Sequence, residues 1–95
     1  MKHCILVKWN ALVEDKKAVA KEVEILFKNL LCFREISDVE IIPNVVERSN
    51  RFDLLIRIDM PRDFLVKYDD CETHHEWKEK YGKFVENKAI FDYEE

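Results

Sequence analysis

The stretch Val39-Glu40-Ile41-Ile42-Pro43-Asn44-Val45-Val46-Glu47-Arg48-Ser49-Asn50-Arg51-Phe52-Asp53-Leu54-Leu55-Ile56-Arg57-Ile58-Asp59-Met60 decides the architecture. Its second half alternates. Phe52, Leu54, Ile56, Ile58 and Met60 point one way, while Arg51, Asp53, Arg57 and Asp59 point the other with Leu55 among them. A period of two over ten residues is a strand with one buried and one mixed face. Its first half, Val39 to Val46, is rich in β-branched residues and reads as a second strand. Pro43 has no backbone donor, which places that strand at an edge or a bulge. Glu47-Arg48-Ser49-Asn50 is a polar connection of hairpin length, and Ser and Asn side chains bond local backbone and fix register. The stretch is therefore an antiparallel pair.

Upstream, Glu14 to Cys32 carries Val19, Val23, Leu26, Phe27, Leu30 and Leu31 at helical spacing, with Lys and Glu between them. Before it, His3, Ile5, Val7 and Trp9 share one face of a strand and Cys4 and Leu6 the other. Downstream, Pro61 suits the first turn of a short helix reaching about Tyr68. Thr73 to Glu76 has capping-box spacing, which predicts Thr73 as N-cap of a helix whose apolar face is His74, Trp77, Tyr81, Phe84 and Val85. Gly82 is a weak point within that pattern. Ala89 to Tyr93 reads as the last strand, with Ala89, Phe91 and Tyr93 on one face. The order β-α-β-β-α(α)-β is the split βαβ, ferredoxin-like α+β pattern: a four-stranded antiparallel sheet with helices on one face. No repeat, low-complexity tract or linker divides the chain, so residues 1–95 form one domain, with an expected radius of gyration of about 12 Å.

Composition then bounds assembly and partners. The chain is 47% hydrophobic in 95 residues, and a domain this small has much surface for its volume. Helices cover one sheet face and leave the other bare, although the first strand is apolar on both. Pairing two such faces across a two-fold axis buries both, which predicts a homodimer through the sheet faces, a dimeric α/β barrel. The net charge is −4, and Arg48, Arg51, Arg57 and Arg62 are interleaved with Glu47, Asp53, Asp59 and Asp63. That is a solvated mixed face, so a nucleic-acid partner is not expected. No apolar run is long enough to cross a bilayer, and the N-terminal apolar stretch is too short for a signal peptide. With three cysteines at unrelated positions, Cys4 and Cys32 in apolar segments, the expectation is free buried thiols and a cytoplasmic location.

Four strings, in order, carry a resemblance. Lys2-His3 leads into the first strand, and Asn44-Val45-Val46-Glu47-Arg48-Ser49-Asn50 precedes Phe52-Asp53-Leu54. His74-His75-Glu76-Trp77 opens a helix, and Phe91-Asp92-Tyr93-Glu94 follows in the last strand. Together they resemble the stress-responsive dimeric α/β-barrel, or Dabb, family over nearly the whole chain. The resemblance implies a ferredoxin-like protomer whose sheets pair face to face. It also implies, from the olivetolic acid cyclase-type polyketide cyclases related to that family, a site of a histidine after the initial lysine, a tyrosine on the short helix and a histidine at the next helix start. The matching positions are His3, Tyr68 and His74. The chain departs from those cyclases in having no histidine in its third strand, and Cys71-Glu72-Thr73-His74 keeps only the second histidine of the usual H-P-x-H.

Three functions follow as expectations. The first is a small stress-response protein binding a small apolar or aromatic ligand in an internal cavity lined by Ile5, Leu54, Ile56 and Trp77 beside His3, Tyr68 and His74. The second is a cofactor-free cyclase in which His74, kept neutral at a helix N-terminus, abstracts a proton beside the Tyr68 phenol, with His3 helping to orient the substrate. The third is a cofactor-free monooxygenase of the related barrel class. No cofactor is expected. Cys71-x-x-His74 offers one ligand pair where a structural zinc needs four converging ligands, so no metal is expected either. The single glycine leaves no phosphate-cradling loop, and neither Ser37 nor Ser49 sits in a nucleophile elbow.

Overall fold

A computed structural model describes residues 1–95. Strand β1 (Lys2–Trp9) is followed by helix α1 (Lys16–Lys28), which tightens into a 3₁₀ turn over Asn29–Cys32. Strands β2 (Asp38–Pro43) and β3 (Leu54–Asp59) come next. A 3₁₀ turn over Arg62–Phe64 runs into the short helix α2 (Leu65–Asp69), then come helix α3 (Glu72–Tyr81), a 3₁₀ turn over Gly82–Phe84 and strand β4 (Val85–Tyr93). The sheet order is β2-β3-β1-β4, antiparallel throughout. This is the ferredoxin-like topology expected, with Pro43 ending an edge strand. The Cα radius of gyration is 13.1 Å.

Register assigns the faces, since directly paired residues point the same way. His3, Ile5, Val7 and Trp9 lie beside Leu54, Ile56 and Ile58 of β3 and Val39 of β2, all buried under the helices. Ala20, Val23, Leu26 and Phe27 of α1 and Trp77 and Tyr81 of α3 complete this core. Phe27 meets Trp77 edge-on at 5.5 Å, and Trp77 stacks on Tyr81 at 5.5 Å. The helices stop short of β4. Its residues on the same side, Lys88, Ile90 and Asp92, are exposed.

The opposite face carries no helix, and it is mixed rather than uniformly apolar. One rung, Ile42–Leu55–Leu6–Ala89, crosses all four strands as an apolar row. The next, Glu40–Arg57–Cys4–Phe91, and the one beyond, Asp38–Asp59–Lys2–Tyr93, carry charge. Arg57 bonds Glu40 at 2.5 Å, and Lys2 pairs with Asp59.

Several boundaries depart from the periodicity reading. Helix α1 starts at Lys16 because the Asp15 carboxylate accepts from the Ala18 N–H, capping it two residues after Glu14. Strand β2 ends at Pro43, not Val46: Asn44 N–H bonds the Asp53 carbonyl, and the Asn44 side chain then turns the chain by bonding Val46. The connection thus spans 44–53 rather than 47–50, and Arg51 to Asp53 leave β3. Strand β4 begins four residues early, at Val85, through a bulge opposite Lys8 and Trp9. The capping box does not form. Cys71 is the N-cap of α3 without a side-chain bond, and Thr73 is already helical, because α2 hands directly to α3 with Cys71 N–H on the Tyr68 carbonyl. Cys32 is exposed, since Leu30 takes the buried position of its 3₁₀ turn.

Gly82 sits at φ −53°, ψ −39°, a right-handed helical conformation, with nothing within 4 Å of where a Cβ would stand. Gly82→Ala should therefore stabilise the domain by about 0.5–1 kcal/mol through the unfolded chain. Thermal unfolding checks this, and a lower melting temperature would contradict it.

Candidate functional site

Three chain segments converge at the N-terminal end of β1. The strand turns His3 inward, where it is 5% exposed. Helix α2 lays Tyr68 over it, ring centroids 5.3 Å apart, and the first turn of α3 places His74 against the other side of Tyr68 at 5.0 Å. The sequence-predicted trio is thus one continuous ring cluster. Asp92, paired with His3 across the β1–β4 ladder, accepts a hydrogen bond from His3 Nδ1 at 2.5 Å. The string holding Asp92 was visible in the sequence, but its contact with His3 depends on the register of two strands nearly ninety residues apart.

His74 and Tyr68 have defined chemical states. His74 Nδ1 donates to the Asp69 carbonyl at 2.9 Å, leaving Nε2 as the free lone pair. Burial holds the His74 pKa below the ordinary 6.5, the Asp69 bond opposes this, and the charges of Lys78 and Lys88 add to the lowering. Burial is the largest cause of the neutral ring. Tyr68 is 1% exposed, and its hydroxyl, fully buried, has no hydrogen-bond partner. Burial, reinforced by Cys71 and Asp69, pushes its pKa far above the phenol range. Tyr68 is accordingly a permanent donor, and His74 is the group able to accept a proton at neutral pH.

Between α3 and β4 lies a hollow of 380 Å³ lined by Trp77, Lys78, Gly82, Val85, Glu86, Asn87 and Lys88, with none of the trio in its lining. His74 and Lys78 are one turn apart on α3, and Ile90, on the helix side of β4, is 51% exposed between Lys88 and Asp92. Of the residues expected to line an internal cavity, Ile5, Leu54 and Ile56 lie in the packed core, and Trp77 belongs both to that core and to the hollow. A second, larger groove of 1460 Å³ lies at the other end of β1, between α1 and the 44–53 connection, and touches none of the trio. Lys78 and Lys88 were not singled out by sequence; nothing in their local strings marks them.

No family model and no curated protein matches the chain. Solved structures do, and they define its class as ferredoxin-like. A dimeric protein of unknown function from Bacteroides fragilis superposes with a TM-score of 0.81 at 20% identity, covering 99% of this chain and 94% of that one. A Dabb family protein from Mesorhizobium loti gives 0.70 at 13% identity, covering 99% and 94%. A hydroxynitrile lyase from Passiflora edulis gives 0.74 at 10% identity, covering 97% and 89%. No helix of the chain is long and apolar enough to cross a membrane.

Proposed function

We propose that the chain is a Dabb-type protein of the cytoplasm, homodimeric through its helix-free sheet face, that binds a small apolar or aromatic molecule at His3, Tyr68 and His74. The observation that carries this reading is the buried Tyr68 hydroxyl without a partner, seated between two histidines. Buried polar groups are rarely left unpaired, and one that is calls for a physical account, of which a bound molecule or a catalytic role is one. The exposed Ile90 beside the cluster offers an apolar surface for the ligand body.

A second reading rests on the pairing of a neutral histidine with a locked phenol. Tyr68 would polarise a carbonyl or hydroxyl while His74 Nε2 takes a proton, with no cofactor needed. Cyclase or lyase chemistry has that requirement, and one fold neighbour is a hydroxynitrile lyase. His3, held by Asp92, would orient the substrate. Neither the cyclase nor the lyase reading makes a monooxygenase necessary.

The test is an amide-resolved NMR titration with small aromatic probes such as phenol and benzaldehyde. Shifts clustered at His3, Tyr68, His74 and Ile90 are expected, and shifts confined to the groove by α1 would overturn the site. The same spectra follow His74. Because its pKa is lowered on folding, the folded ring stays neutral as pH falls through 6.5, and charging it then opposes folding. Probe binding should persist down through pH 6.5 and weaken only below it. If His74 catalyses, His74→Ala should lower turnover of a cyclisable or cleavable substrate by about 10²–10⁴ while leaving assembly intact.

A further inference from the structure

The hollow between α3 and β4 has a feature that an apolar or aromatic ligand alone does not use. Lys78 on α3 and Lys88 on β4 both line the 380 Å³ hollow, facing it from opposite walls. Neither ammonium has an ion-pair or hydrogen-bond partner; other surface lysines such as Lys17 and Lys21 share that state, but only Lys78 and Lys88 do so within one hollow's lining that also holds Trp77. Two unpaired cations across one hollow repel each other, and both stand near enough to His74 for their charge to act on its ring. A protein with 20 acidic side chains could have paired them; the nearest wall carboxylate, Glu86, lies instead 3.8 Å from Lys8.

We propose that Lys78 and Lys88 together hold the carboxylate of an organic acid, whose apolar or aromatic body lies along Ile90 toward Tyr68 and His74. This rests on the site proposed above and names its ligand class. Position supports it. Lys88 pairs with Val7, Ile90 with Ile5 and Asp92 with His3, so charge, apolar surface and the histidine–phenol cluster follow one another along a single strand face. At 3.3 Å per residue, the step from Lys88 to Ile90 is about 7 Å, close to the length of an arylacetic acid. The charge balance favours one delocalised anion over a phosphate dianion, because Glu86 lines the same hollow and leaves Lys78, Lys88 and Glu86 with a net charge of one. A carboxylate bound there, together with Glu86, balances the two ammonium groups, while the far end of the molecule lies toward the neutral His74 and the un-ionised Tyr68.

Phenylacetate and phenylacetamide are the matched probes, differing in charge but little in shape. On the full chain, phenylacetate should shift the amides of His74, Lys78 and Lys88 and bind about tenfold tighter than the amide, a preference that fades in high salt. Lys78→Gln and Lys88→Gln should each remove about threefold to fivefold of the phenylacetate affinity and leave phenylacetamide unaffected. Both lysines are exposed, so the variants will fold. Equal binding of the two probes at His74 would overturn the carboxylate assignment and leave the apolar site standing. Binding of neither probe at His74 would overturn both.

Discussion

Leu6→Glu should convert the protein from a dimer to a folded monomer. Leu6 lies at the middle of the apolar rung Ile42–Leu55–Leu6–Ala89, on the sheet face that no helix covers. In the isolated protomer it is half-buried, so a glutamate there reaches water and the fold survives. In the proposed sheet-face dimer the same position would be desolvated, and each substitution would count twice. Unpaired buried carboxylates cost several kcal/mol, which raises the dimer dissociation constant by about 10²–10⁴. Sedimentation velocity at micromolar protein reads the change, with circular dichroism confirming the fold. Val45→Glu, at a connection residue 92% exposed, serves as the control and should remain dimeric. A dimeric Leu6→Glu variant, or a wild-type chain that is already monomeric, would refute assembly through this face.

The charged rungs would give the proposed sheet-face dimer one orientation. Phe91 is 64% exposed and Ile42 41%, so the apolar part of the face runs diagonally from β2 to β4, while Asp38, Glu40, Arg57, Asp59 and Lys2 fill the other corner. Within that corner Arg57 Nε and Asp59 Oδ1 are buried with no hydrogen-bond partner. A twin that laid its apolar rung on this corner would strand those groups in a drier setting. Rung on rung avoids that penalty, which is how charge specifies register without adding much affinity.

The sequence discloses the topology because the evidence for it is periodic. Leu54, Ile56 and Ile58, or Val19, Val23 and Phe27, repeat at the spacing of their own element, and any neighbour of the right size accepts them. Boundaries are less legible where one local bond decides. Asp15 capping Ala18, Asn44 closing on Asp53, and the direct passage from α2 into α3 that displaces Thr73 from the N-cap are each single contacts. The site divides in the same way. His3, Tyr68 and His74 were reachable through a resemblance over short strings. Asp92 needed the β1–β4 register, and Lys78 and Lys88 needed to be seen across a hollow, since an exposed lysine on a helix and another on a strand are unremarkable one at a time. The mixed character of the helix-free face was legible in Arg57 and Asp59, but its apolar rung emerges only when four strands are aligned.

Tyr68→Phe should make the protein more stable and the site worse. The phenol ring packs between His3 and His74 and is almost wholly buried, and phenylalanine keeps that packing. What it removes is a hydroxyl that has lost water and gained no partner, a state that costs about 1–3 kcal/mol. Recovering even 1 kcal/mol raises the melting temperature of a domain this size by about 4–8 °C. A group retained against stability is one selected for what it contacts in use. The same substitution should therefore weaken phenol or phenylacetate binding, and it should cut any turnover by about 10²-fold or more, because the phenol donor whose ring packs against His74 is gone. The two readouts answer separate questions. A destabilised Tyr68→Phe would mean that the hydroxyl is already satisfied within the fold, removing the observation on which the site rests. A stabilised variant with unchanged binding would leave the strain real but take Tyr68 out of ligand recognition. Only gain of stability together with loss of binding fits a phenol held open for a ligand.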